Sequence, residues 1–345
     1  MGNMWRRIFR SRKPTASANR AQPAAVMSVR APPVAPVVRS ALPLAEIEDR
    51  FHRFVLSVPD SNADELSAFE LATLKQLELL STHFDMRSLP RLPTVLPQLL
   101  RALKNDKAGG GELARLIGRD PLMVGEIMRV TGSVHYRAAQ PITSLQQAVV
   151  LLGQDGLRRV LTQHVMKPIL QANTGALGHA AGERLWNHAE RCAHACAWLG
   201  KNNGCDAFES YLAGIVCHTG NGAVVRLLDR LQPAGDAEPP SPGFLASCSA
   251  LAARLSLQVA QHWELPQRVI EAMTECRAPA TPAASPLGKA LSVADLLAMA
   301  QLLIEHERLA DNPDLSQSWP GVFAPTLVAR CQQDLQRNFL PPKSA

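Results

Sequence analysis

Apolar residues recur every three or four positions along most of this chain beyond residue 44, in blocks cut by Pro, Gly and Asp, and nowhere do they alternate over any length. That period lines one face of a helix, whereas a strand needs a period of two. The chain is therefore expected to be all-helical. Leu and Ala dominate, and aromatic residues make up only 5% of the chain, a mix that favours helices over sheets.

The periodicity predicts helices over residues 44–56 (Leu44, Ile47, Phe51, Phe54 and Val55 on one face) and 63–80, with a turn at Pro59 to Asn62 between them. Pro90 and Pro93 open a further block striped by Val95, Leu96, Leu99, Leu100 and Leu103, which Gly109-Gly110-Gly111 ends. A short helix from Glu112 to Ile117 follows, then Asp120-Pro121 reads as an N-cap with proline at the first helical position. Ser144 with Gln147 forms a capping-box pattern, and Gly153 is a natural stop before a second stretch, residues 157–170. Residues 175–182 read as a loop and as the hinge between two helical halves. Helices are then expected over 183–201, 207–217, 221–231, 244–263, 267–276, 287–306 and 325–339, with a proline-rich loop at 232–243.

Charge is unevenly placed. The net charge is +6, yet residues 1–45 hold eight basic side chains and no acid, which leaves 28 basic against 30 acidic residues in the body. A broad phosphate-binding face on the folded part is not implied. The basic segment is rich in proline and is expected to be disordered. Its start, Met4 to Arg10, has the pattern of a short amphipathic turn able to make weak contact with an anionic membrane surface. No secretory signal and no run of about 20 apolar residues is expected. Seven cysteines without a leader point to reduced thiols in a cytoplasmic protein.

Three stretches stand in order: Leu89-Pro90-Arg91-Leu92-Pro93, then Ile117-Gly118-Arg119-Asp120-Pro121, then Pro141 to Gly153 with Ser144, Gln147, Ala148 and Val149, followed by Leu157-Arg158. Together they resemble the first half of HDOD domains. Leu185-Trp186-Asn187-His188, Phe208 to Gly214 and Trp263-Glu264-Leu265-Pro266 are similar to the second half. The resemblance covers about residues 88–305. It implies an HD-like, multi-helix domain of two halves, related to HD phosphohydrolases but generally without activity, acting in bacterial signalling through protein contacts. The expected organisation is a disordered tail at 1–45, N-terminal helices at 46–87, the HDOD domain at 88–305 and a helical extension at 306–345.

By that resemblance, His188, His218 and Asp295 stand where a phosphohydrolase holds its metal, but Thr219 follows His218 where an aspartate is expected. Met273-Thr274-Glu275-Cys276 replaces a later His-rich position. The three remaining residues read as vestigial, with no catalytic residue, cofactor or metal expected. Cys192 and Cys196 follow His188 at helical spacing, a row able to bind zinc only if Cys217 or His218 joins from another segment; buried thiols are the simpler reading. Residues 112–130 have a helix-turn-helix outline, but the second helix is mostly apolar and offers only Glu126 and Arg129 as polar contacts. The reading adopted is a non-enzymatic signalling scaffold with unidentified protein partners, no small-molecule substrate and no nucleic acid. The alternatives are a metal-dependent phosphohydrolase with a degenerate site and a DNA-binding regulator.

Overall fold

The structure is a computed structural model. It describes residues 44–82 except 62 and 64, 114–132 except 116, 119 and 120, and then 142–171, 178–231, 239–276, 283–309, 315–319 and 321–339. The basic tail, the Leu-Pro start at 89–93, the stripe over 95–103 and the triple glycine lie outside the described residues.

The described residues are all-α and belong to one compact unit, Ala41–Ala345. In chain order the helices are α1 (Leu44–Leu56), α2 (Ala68–Thr82), α3 (Pro121–Thr131), α4 (Leu145–Gln171), α5 (Gly178–Asn202), α6 (Ala207–Val216), α7 (Thr219–Leu231), α8 (Pro242–His262), α9 (Gln267–Cys276), α10 (Pro286–Glu305) and α11 (Pro325–Phe339).

Side-chain caps set many of the starts. Asp206, Ser241 and Ser285 each accept a hydrogen bond from the backbone N–H three residues on, and Pro242 and Pro286 occupy the first helical turn of their helices. The start of α2 at Ala68, rather than at 63, follows from a reciprocal capping box: Glu70 N–H donates to Ser67 Oγ (3.1 Å) and Ser67 N–H to Glu70 Oε2 (2.7 Å). The second oxygen of Glu70 accepts from Ser241 N–H (2.7 Å), so one carboxylate ties together the starts of α2 and α8. The box expected at Ser144 is rearranged: Gln147 N–H donates to Ser144 Oγ, but the Gln147 amide oxygen accepts from Thr143 N–H.

Gly153 interrupts α4 with φ 63° and ψ −178°, a backbone conformation that suits glycine, so the expected stop is a kink between two helical stretches. The segment before the kink packs Ala148, Val149 and Leu152 with Met123 and Ile127 of α3; after it, Val165, Met166, Ile169 and Leu170 enter the main core. α5 begins at Gly178, so the loop expected over 175–182 is helical from 178 onward. α8 likewise begins at Pro242, shortening the expected loop at 232–243.

α10 lies at the centre of the main core and packs against α1, α5, α6, α9 and α11. This corrects one sequence expectation: α8 and α10 are both long and apolar enough to cross a membrane by length and composition. The physical reason in α10 is its central place. A helix covered on every side is apolar all round, and 83% of its most apolar stretch is buried against its neighbours.

Two glycines permit the closest approaches around the corner between α6 and α7. A Cβ at Gly214 would sit 2.6 Å from Ala193 Cα on α5, and one at Gly220 only 1.9 Å from Ala252 O on α8. Gly220 N–H also donates to Ser256 Oγ (2.9 Å). Gly220→Ala is expected to destabilise the protein by about 2 kcal/mol or more through overpacking. Gly125→Ala, in α3 with nothing within 4 Å of the new methyl, is expected to stabilise it by roughly 0.5–1 kcal/mol. Urea denaturation of both variants checks the contrast.

Candidate functional site

Three helical elements bring the expected residues together. His188 lies in mid-α5, His218 at the corner between Val216 and Thr219, and Asp295 in the middle of α10. Their exposures are 0%, 1% and 4%, so the cluster is sealed in the core. Asp295 Oδ1 is 2.5 Å from His218 Nε2 and 3.2 Å from His188 Nε2. Asn221, one turn into α7, places its side-chain nitrogen 2.7 Å from His218 Nδ1. With Asn221 donating there, His218 carries its proton on Nε2 and donates it to Asp295.

Phe51 of α1 covers the imidazoles, its ring centre 4.6 Å from that of His188 and 6.4 Å from that of His218. The two imidazoles meet edge to face, with centres 4.3 Å apart. His188 Nδ1 has no hydrogen-bond partner although it is buried. Burial, and then the neighbouring His218, pull the His188 imidazole down to about 4, while Asp295 acts in the opposite direction. His188 is therefore neutral near pH 7.

Thr219 turns away from this cluster. Its hydroxyl donates to Val216 O (3.0 Å), closing the turn behind it, so the position where a phosphohydrolase carries its aspartate offers no ligand. The fit to a hard octahedral ion is also poor. Neighbouring ligands around magnesium or manganese, bound at about 2.1 Å, stand about 3.0 Å apart, whereas the His218–Asp295 pair is a 2.5 Å hydrogen bond.

Cys217 precedes His218 and faces Cys192, one turn beyond His188 on α5; the sulfurs are 3.9 Å apart. Burial alone would raise the Cys217 thiol, but the hydrogen bond with Cys192 and the adjacent His218 outweigh it and hold it below the usual thiol range. Cys192 is pushed well above that range, chiefly by burial and then by Cys217. Cys196 is buried further along α5 but does not join the ligand-distance groups. The row foreseen from sequence is thus bent: Cys217 joins Cys192, and Cys196 drops out.

Sequence reasoning missed Phe51 and Asn221. Asn221, three residues beyond His218, is recognisable only once a helix is known to start between them. Phe51 carries no sequence signal beyond its apolar face, because its role depends on how α1 docks. At the helix-turn-helix outline, Met123 and Ile127 are fully buried and Arg129 is paired with Glu126 on its own helix.

Because the unfolded chain protonates His188 near pH 6.5 and the folded one near 4, the unfolded state holds the extra proton between those values. Its contribution to stability is complete above about pH 6.5 and falls as pH drops toward 4. Chelator-treated protein is expected to lose about 2 kcal/mol between pH 7.5 and 5 from this group. Urea denaturation at both values checks it: His188→Gln should flatten the decline, and an unchanged decline would assign it to other groups.

Comparison with known proteins adds the relationships. Residues 89–279 match the family model of the HDOD domain, so Asp295 lies just beyond the matched stretch. An uncharacterized protein of Treponema pallidum is 24% identical over 190 residues, 53% of this chain and 36% of the relative; the chain spans only about a third of that relative's length. An HDOD domain protein of unknown function from Geobacter sulfurreducens superposes with a TM-score of 0.55 at 18% identity, covering 79% of this chain and 99% of that one. A Shewanella amazonensis protein, provisionally named a metal-dependent phosphohydrolase, gives 0.53 at 16% identity over 77% and 100% of the two chains. A Marinobacter aquaeolei protein, provisionally named a signal transduction protein, gives 0.51 at 18% identity over 86% and 64%. At these identities the structural likeness is one of fold. With more than half of its length matched by the family model, on an all-helical frame, the chain belongs to the HDOD domain family.

Proposed function

We propose that this protein is a cytoplasmic signalling adaptor that works through its surface and not by hydrolysis. The observation that carries the reading is the sealed state of the His188–His218–Asp295 cluster. Both imidazoles converge on Asp295 Oδ1, Phe51 covers them, and the Thr219 hydroxyl is bonded to its own turn. A hydrolytic metal centre needs an open position for water and substrate, and it needs acidic charge beside the histidines. The buried thiols of Cys192, Cys196, Cys217, Cys248 and Cys331 suit a reducing compartment. Signalling is the role in the name of the Marinobacter aquaeolei neighbour, and the family assignment points the same way.

The contact face of this reading includes α2, where Phe69, Leu71 and Leu79 are each more than half exposed. Large apolar side chains left in water on one helix are a feature of protein-binding surfaces. The partners are signalling proteins, and neither a nucleic acid nor a small-molecule substrate enters the proposal.

The test has two arms. The full chain, supplied with manganese, iron or magnesium, is expected to hydrolyse phosphomonoesters, phosphodiesters and nucleotides no faster than Asp295→Ala does. Metal-dependent turnover that disappears in His188→Ala and Asp295→Ala would replace the adaptor with a phosphohydrolase. In the second arm, proteins captured specifically by the full chain are expected to be lost when Phe69 and Leu79 are changed to Glu. Folding of that variant is checked by its thermal transition.

A further inference from the structure

The thiols of Cys192 and Cys217 face each other beside the histidine cluster, and the adaptor reading makes no use of their chemistry. We propose that these two cysteines are a peroxide-oxidisable pair that closes into a disulfide between α5 and the α6–α7 corner. This goes beyond the adaptor reading and does not depend on it.

Distance is the first argument. The sulfurs are 3.9 Å apart, and both thiols are free. A disulfide holds its sulfurs about 2.05 Å apart, so the pair has roughly 1.9 Å to close, a distance that rotation of the two side chains can share. Backbones must also be near, with Cα atoms about 4.4–6.8 Å apart. α5 and α6 touch one turn before Cys217: a Cβ at Gly214 would stand 2.7 Å from Cys192 O and 2.6 Å from Ala193 Cα. Cys217 Sγ donates to Gly214 O at 3.2 Å, which keeps the sulfur beside that contact.

The second argument is what the bond would join. The two residues are 25 apart in sequence and lie on separate elements. The bond would tie the residue before His218 to the helix that carries His188. In a reducing compartment such a bond is transient, and that is the form in which disulfides there serve redox sensing.

Burial selects the oxidant. Cys192 is 0% and Cys217 4% exposed, which keeps out bulky or charged reagents such as glutathione disulfide. Small, uncharged hydrogen peroxide is the class that fits. A half-open cavity of about 30 Å³ lies under α1, with His52, Val55, Asn221 and Val224 in its wall. It has room for about two waters, and so for one hydrogen peroxide. Asn221 bonds His218, the residue after Cys217, so the cavity brings the oxidant close to the pair.

The chemistry balances with peroxide as the two-electron oxidant. One sulfur, as thiolate, attacks a peroxide oxygen; the O–O bond breaks, and the hydroxide that leaves takes up the released thiol proton as water. The second sulfur then displaces water from the sulfenic acid, and the S–S bond forms. Two thiols and one peroxide give one disulfide and two waters.

The experiment treats the reduced, folded full chain with a small excess of hydrogen peroxide. Intact mass is expected to fall by about 2 Da, the two hydrogens lost, and dithiothreitol should restore it. Peptide mapping after alkylation should place the bond between Cys192 and Cys217. Glutathione disulfide should leave the pair reduced. Cys192→Ser and Cys217→Ser should each abolish the mass loss, and the map of the unmutated protein decides the matter even if a variant fails to fold. A disulfide that maps elsewhere, oxidation that stops at sulfenic or sulfinic acid, or two thiols left intact by peroxide that oxidises the urea-unfolded chain would each overturn the pair.

Discussion

One carboxylate holds the centre of this protein together. Asp295 sits in the middle of the most buried helix, and its Oδ1 meets imidazoles from α5 and from the α6–α7 corner. A buried carboxylate without partners is costly to keep in an apolar core, and partners drawn from other elements fix how those elements pack. The same contact that satisfies Asp295 therefore sets the relative placement of α5, α7 and α10. Phe51 then seals the cluster from the α1 side, so a helix outside the matched family region covers the cluster.

The glycines and caps around this centre serve the same geometry. Gly214 and Gly220 let α5 and α8 approach the His218 corner more closely than any side chain would allow. Glu70 caps two helix starts at once, and Glu275 accepts from both the N–H and the hydroxyl of Ser285 where α10 begins. These buried or half-buried carboxylates all bond to groups on other elements or at helix ends, where unpaired N–H donors await an acceptor. The polar interior is thus used for positioning, and the thiol pair beside Asp295 belongs to the same set of inward-facing groups.

Much of this was legible in the residues. Gly153 breaks α4, and the apolar face of α1 is buried as its period implies. His188, His218 and Asp295 do meet. Other features were not legible, for identifiable reasons. The first turn of α5 lies in a Gly- and Ala-rich stretch with little apolar period, so its start at Gly178 carried no signal. The apolar length of α10 reflects burial on all sides, which depends on which helices surround it. The pairing of Cys192 with Cys217, and the placement of Phe51 over the imidazoles, join residues whose sequence separation erases any local pattern.

The sequence by itself determined the all-helical class, most helix boundaries and the chemical inventory at the centre: two histidines, two thiols, one aspartate and a threonine where another acid was expected. These follow from periodicity, capping chemistry and residue identity, all of which act within one helix turn. Tertiary packing alone decided that both imidazoles converge on one oxygen of Asp295, that Thr219 turns back to Val216, and that Cys217 and not Cys196 stands opposite Cys192. Those outcomes depend on the rotation and depth of α5, α7 and α10 against one another, which the summed burial of many side chains fixes and no short stretch of residues encodes.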